Sequence, residues 1–261
     1  MDFKKIKFTN AEGQELSARL DLPDNKSPEA YVLFAHCFTC NKNLTAVRTI
    51  SKALTSNGFG VLRFDFTGLG ESEGDFADTN FSSNVQDLIA ASTYLEQEFE
   101  APKLLIGHSL GGAAVIFAAK AIPSVLAVAT IGAPSCPQHI QHLIKSNLEE
   151  IKASGIAEVM IGGRSFSIKQ QFLDDINSKN LATTVKHFKK SLLVMHSPQD
   201  KTVGIENASE IYAAAMHPKS FISLNGADHL LSNKEDSFYV GNLIASWVTR
   251  YIKSSNKTNN V

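Results

Sequence analysis

Hydrophobic and polar positions change period several times along this chain. Residues 3–9 and 16–22 alternate apolar with polar around Asn10-Ala11-Glu12-Gly13, which carries turn chemistry, so an antiparallel hairpin should open the fold. Largely apolar runs follow at 31–35, 61–66, 103–107, 125–131, 192–196 and 221–224, as strands buried on both faces of a parallel sheet require. Between them, helical spacing predicts helices at 44–57, 82–98, 109–121, 204–216 and 236–252, with Val85, Leu88, Ile89 and Leu95 on the apolar face of the second. Strands and helices alternating at this pace predict an α/β fold: a mostly parallel twisted sheet, right-handed crossovers, and helices on both faces. Only residues 135–190 break the rhythm, with a predicted helix at 138–148, a short hairpin at 156–168 turning at Gly162-Gly163, and a helix at 169–177. An insertion of that size between two sheet strands reads as a small cap. The polar tail 254–261 is expected to fray, and with no repeat or low-complexity linker residues 1–261 read as a single domain.

Composition narrows the function classes. Hydrophobic residues make up 43%, enough for a substantial core, and Lys+Arg 25 against Asp+Glu 26 leave a net charge of -1 with no basic block. Nucleic acid and anionic membrane surfaces are therefore poor partners. Met1-Asp2-Phe3-Lys4-Lys5 has no leader-like pattern and no run approaches eighteen apolar residues, so neither export nor membrane insertion is expected. Three cysteines are too few and too odd for a disulfide framework, which fits a cytoplasmic protein. Nothing here decides between a monomer and a homodimer.

The chemistry gathers at Gly107-His108-Ser109-Leu110-Gly111, between an apolar strand and an Ala-rich helix. Gly-x-Ser-x-Gly in that setting is a nucleophile elbow, which holds a serine on a strained turn with its hydroxyl beyond the strand, and Ser109 is the candidate nucleophile. A serine hydroxyl needs a base, and the base needs a third group to fix its tautomer. The order Ser109, Asp200, His229 supplies all three, each just past the C-terminal end of a predicted strand. His229 follows Gly226 on a loop; His196 and His187 read as structural, and His108 sits inside the elbow. Asp228 is the rival acid, disfavoured because sequence neighbours in an extended loop point apart, and Asp65 reads as a loop anchor. The Leu110 N–H, at a helix N-terminus, is one donor for an oxyanion hole.

The elbow, the segment His196-Ser197-Pro198-Gln199-Asp200, and Asp228-His229 resemble the α/β-hydrolase fold family across nearly the whole chain. Arg63 to Ser72 is similar to that family's loop after its fourth strand. Ala35 to Cys40, Asp75 to Asn84 and His217 to Phe221 resemble more narrowly the hydrolase half of bacterial proteins fused to an OsmC-type peroxide-reducing domain. The resemblance implies Phe38 N–H as the second oxyanion donor, although His36-Cys37 stands where many relatives carry His-Gly. Cys37-x-x-Cys40 reads as two small fillers beside that loop, or as a redox pair whose oxidation switches the donor; no second pair completes a metal site. Arg164, Phe166 and Phe172 are candidates for an acyl pocket or for core packing. The expected activity is a serine hydrolase that uses no cofactor or metal and cleaves a small-molecule carboxylic ester or thioester through an acyl-enzyme. Its rate should fall as the imidazole protonates near pH 6 to 7. The alternatives are a non-enzymatic module that binds a hydrophobic ligand or docks to a peroxidase, and perhydrolysis on the same triad.

Overall fold

The computed structural model describes residues 2–24 and 27–258. Ten strands run in chain order: β1 (Asp2–Thr9), β2 (Glu15–Leu22), β3 (Ala30–Ala35), β4 (Phe59–Phe64), β5 (Leu104–His108), β6 (Ala127–Ile131), β7 (Ile156–Ile161), β8 (Arg164–Lys169), β9 (Ser191–His196) and β10 (Lys219–Ser223). The helices are α1 (Thr45–Ser56), α2 (Phe81–Glu98), α3 (Leu110–Ala118), α4 (Leu148–Ser154), α5 (Gln170–Asn177), α6 (Leu181–Lys186), α7 (Glu206–Ala214) and α8 (Lys234–Thr258). Eight strands form one sheet in the order β1-β2-β4-β3-β5-β6-β9-β10. The opening hairpin pairs antiparallel, as does β2 with β4; every other pairing in this sheet is parallel, and β7 and β8 form a separate antiparallel pair.

Alternation along each strand divides the core. Leu33, Leu105 and Val128 face α2 and α3, while Val32, Phe34, Ile106 and Ala129 face α1 and α8. Each such Leu, Val, Ile or Phe side chain contributes about 1.5–3 kcal/mol when withdrawn from water, which is why both faces must be covered. On the second face Gly241 lets α8 approach α1, since a Cβ there would lie 2.6 Å from that of Ala53 and 2.9 Å from the Ile50 carbonyl. After β4 the chain crosses back past β3 to form β5, so β3 and β5 are neighbours whose following segments leave in different directions. A crevice opens beyond the carboxyl ends of strands at such a switch point.

Several boundaries differ from the sequence expectation. Strand β4 ends at Phe64, two residues before the expected end, and β10 starts two residues early. The expected helix at 138–148 is a 3-10 segment, Pro137–Asn147, interrupted at Ile144 (φ -121°), with α4 beyond it ending on Gly155 at φ +81°. Ile140 and Ile144 fit either helix type, so apolar spacing alone could not separate them. Helix α6 is six residues long, too short to show a period, and begins where the Asn180 side chain accepts the Thr183 N–H. The tail forecast to fray is helical to Thr258, and residues 259–261 lie outside the described residues. Among the described residues no helix is long and apolar enough to cross a membrane.

Candidate active site

Ser109 joins β5 to α3 with φ +55° and ψ -127°, a conformation that costs an L-residue on the order of 1–3 kcal/mol. The surroundings over-determine it. Its N–H donates to the Ile131 carbonyl (2.9 Å) and its carbonyl accepts the Gly112 N–H (2.8 Å). A Cβ on Gly107 would lie 2.2 Å from the Gly111 carbonyl oxygen, and one on Gly111 would lie 2.4 Å from that of His36. The two flanking glycines are thus required by backbone packing.

The loops after β9 and β10 deliver the other two groups. His229 Nδ1–H donates to Asp200 Oδ2 at 2.7 Å, and its Nε2 lies 3.1 Å from Ser109 Oγ. Burial alone would raise the Asp200 pKa. The His229 hydrogen bond, with the N–H groups of Val203 (2.9 Å) and Thr202 (2.8 Å) on Oδ1, outweighs burial and holds the carboxyl below its usual range. An ionised Asp200 fixes the proton on Nδ1 and leaves Nε2 free to accept from Ser109. Asp228 is elsewhere: it is exposed, and its Oδ1 accepts the Ser232 N–H.

Two further histidines, one that sequence reasoning placed inside the elbow and one that it read as structural, hold this line in place. Buried His108 donates from Nε2–H to the His229 carbonyl at 2.7 Å. Burial, and next the neighbouring His229, lower its pKa to about 4, so it stays neutral, and its Nδ1 is buried without a partner. His196 Nε2–H donates to the Val203 carbonyl (2.8 Å) and lies 3.6 Å from Asp200 Oδ2. The available signal was position: each is a polar residue closing an otherwise apolar strand.

Ser109 and Leu110 stand between two small recesses. One is bounded by His36, Cys37, Phe38, Phe66, Phe76 and Leu110; the other by Ser109, Leu110, Pro134, His139, His142 and Leu143. Among the described residues the N–H groups of Phe38 and Leu110 have no acceptor within the chain. Phe166 and Phe172 pack over the first recess: Phe172 lies 5.3 Å from Phe38, Phe166 lies 5.0 Å from Phe76, and Phe76 lies 5.5 Å from Phe38. Arg164, at the start of β8, donates to the Thr39 carbonyl.

The loop carrying Phe38 corrects the expectation for the cysteines. Cys37 and Cys40 are not separate fillers but a disulfide, leaving Cys136 as the free thiol. An odd count of three rules out a framework, yet it does not prevent one local bridge across a tight turn. The turn is held further by the Cys40 N–H on the Cys37 carbonyl (3.1 Å) and by His36 Nδ1–H on the same oxygen (2.8 Å). Beyond it Asp65 anchors the chain, accepting the Lys42 N–H at 2.6 Å and the Lys42 ammonium at 2.5 Å.

Comparison with known proteins identifies the family. A family profile described as serine aminopeptidase, S33 matches residues 26–152. The esterase domain of a Rhodothermus marinus protein is 50% identical, the alignment covering 97% of this chain and 100% of that one, with a TM-score of 0.80. The chain belongs to the α/β-hydrolase family. Within this α/β-hydrolase group, the mitochondrial palmitoyl-protein thioesterase ABHD10 of Rattus norvegicus is 31% identical over 104 residues. The match covers 40% of this chain and 34% of that protein, so it spans about a third of the length of that curated relative. Est1E of Butyrivibrio proteoclasticus, solved with ferulic acid, shares the fold at 21% identity and a TM-score of 0.76, covering 94% of this chain and 99% of that one.

Proposed function

We propose that this α/β-hydrolase is a serine hydrolase that cleaves a small-molecule carboxylic ester or thioester through an acyl-enzyme. One observation carries the reading: hydroxyl, imidazole and carboxylate lie in a single line, 3.1 Å from Ser109 Oγ to His229 Nε2 and 2.7 Å from His229 Nδ1 to Asp200. His229 accepts the Ser109 proton as the oxygen attacks the acyl carbon, and Asp200 stabilises the imidazolium. The oxyanion is met by the N–H groups of Phe38 and Leu110, preorganised donors of a kind worth on the order of 10²–10³ in rate each. His229 then protonates the leaving alcohol or thiol and activates the water that releases the acid.

The esterase and thioesterase names carried by the relatives support the bond type. His139, Ile140, His142 and Leu143 line the recess beside Ser109, and residues 135–190 act as the cap in this reading. The compartment proposed is the cytoplasm, where a disulfide such as Cys37–Cys40 belongs to the transient, redox-sensing kind. The test is turnover of p-nitrophenyl esters of increasing chain length, together with fluorophosphonate labelling of native protein and Ser109→Ala. Labelling and turnover confined to native protein is the expected result. Undiminished turnover by Ser109→Ala would move the chemistry elsewhere.

A further inference from the structure

The disulfide sits where it can govern the reaction. Cys37 and Cys40 enclose two residues, Phe38 and Thr39, and Phe38 carries one of the two unengaged N–H groups at the mouth of the acyl recess. Thr39 adopts φ +62°, in a left-handed region that β-branched residues avoid, so the turn must be held from outside. Four things hold it: the bridge, the Cys40 N–H and His36 Nδ1–H on the Cys37 carbonyl, and Arg164 of the insertion donating to the Thr39 carbonyl. The two sulfurs are unequal in access. Cys37 is 4% exposed, whereas Cys40 is part-exposed.

We infer that Cys37–Cys40 is a thiol–disulfide exchange site for a dithiol reductant, and that its oxidised state holds the oxyanion hole together. This rests on the hydrolase reading above. A thiolate of the dithiol attacks the accessible Cys40 sulfur; the bridge breaks, and Cys37 leaves as a thiolate and takes up a proton. The second thiolate of the reductant attacks the reductant's own sulfur in the mixed disulfide and expels Cys40, which is protonated in turn. Two electrons and two protons pass to the pair, and the reductant departs as a cyclic disulfide. Arg164 is hydrogen-bonded to the Thr39 carbonyl, immediately before Cys40. Once the bridge is open, the turn that carries Phe38 is held only by hydrogen bonds, so the donor is loosened rather than removed. The effect should therefore fall short of the full loss of an oxyanion donor.

The experiment titrates the purified chain with dithiothreitol at set ratios of its reduced and oxidised forms, then counts thiols and measures p-nitrophenyl acetate kinetics on each sample. The expected result is one reactive thiol in the oxidised protein and three in the reduced one, given that the chain holds three cysteines. The kcat should fall about tenfold with KM changed less than twofold, and should return when diamide restores the bridge. Cys40→Ser should show the lower kcat at every ratio; the wild-type titration decides the matter even if that variant does not fold. Equal kcat in the one-thiol and three-thiol forms would overturn the coupling. Three reactive thiols persisting after diamide would overturn the exchange site. Absence of ester turnover in both forms would sink the hydrolase reading and the coupling with it, while the thiol count alone would still decide the exchange site.

Discussion

His108→Gln should make the protein less sensitive to mild acid. In the native fold His108 is fully buried with its pKa lowered from 6.5 to about 4. The sign follows from where the proton binds: as pH falls through 6.5 the unfolded chain takes up a proton that the folded chain refuses until near pH 4. The contribution to stability is therefore complete above 6.5, is lost between 6.5 and about 4, and is level below that. Over the whole window the loss amounts to ~3 kcal/mol, and between pH 7 and pH 5 to ~2 kcal/mol. Glutamine does not titrate, and its amide can still donate to the His229 carbonyl that His108 holds at 2.7 Å. Urea unfolding of both proteins at pH 7, 6 and 5, followed by tryptophan fluorescence, measures the difference. Contributions from His36, whose pKa burial also lowers, and from the carboxylates cancel in the comparison. If both proteins lose the same stability between pH 7 and pH 5, then His108 is not the neutral, buried group this reasoning requires.

Asp200→Asn should reduce kcat by on the order of 10³–10⁴ with little change in KM, because the amide donates to Nδ1 and leaves the wrong ring nitrogen facing Ser109; steady-state kinetics at pH 8 read this directly. Gly111→Ala places a Cβ 2.4 Å from the His36 carbonyl oxygen, so the β3 loop must shift; a fall in kcat with retained fluorophosphonate labelling is expected, and unaltered kinetics would mean the loop has room to give. Lys42→Met leaves the Asp65 carboxylate buried with its cation removed, and urea unfolding should show a loss of about 3–5 kcal/mol.

Much of the fold was legible because local pattern and tertiary role coincide. Runs such as Leu104–His108 and Ala127–Ile131 are apolar because both faces of those strands are covered, and burial on both faces is itself a sequence signature. The elbow was equally plain, since Gly107 and Gly111 are demanded by contacts that any Cβ would violate. Periodicity failed where elements are short or irregular, as in Pro137–Asn147 and α6.

What the sequence determined by itself was the order of strands and helices, the strained serine turn, and three chemical groups at the carboxyl ends of different strands. Only tertiary structure decided their meeting. Ser109, Asp200 and His229 lie up to 120 residues apart, and their separations of 2.7 and 3.1 Å depend on sheet order and on the long-range hydrogen bond from His108. The Cys37–Cys40 bridge belongs there too. Spacing allowed it, but only the turn at Thr39, held from the insertion by Arg164, brought the two sulfurs together.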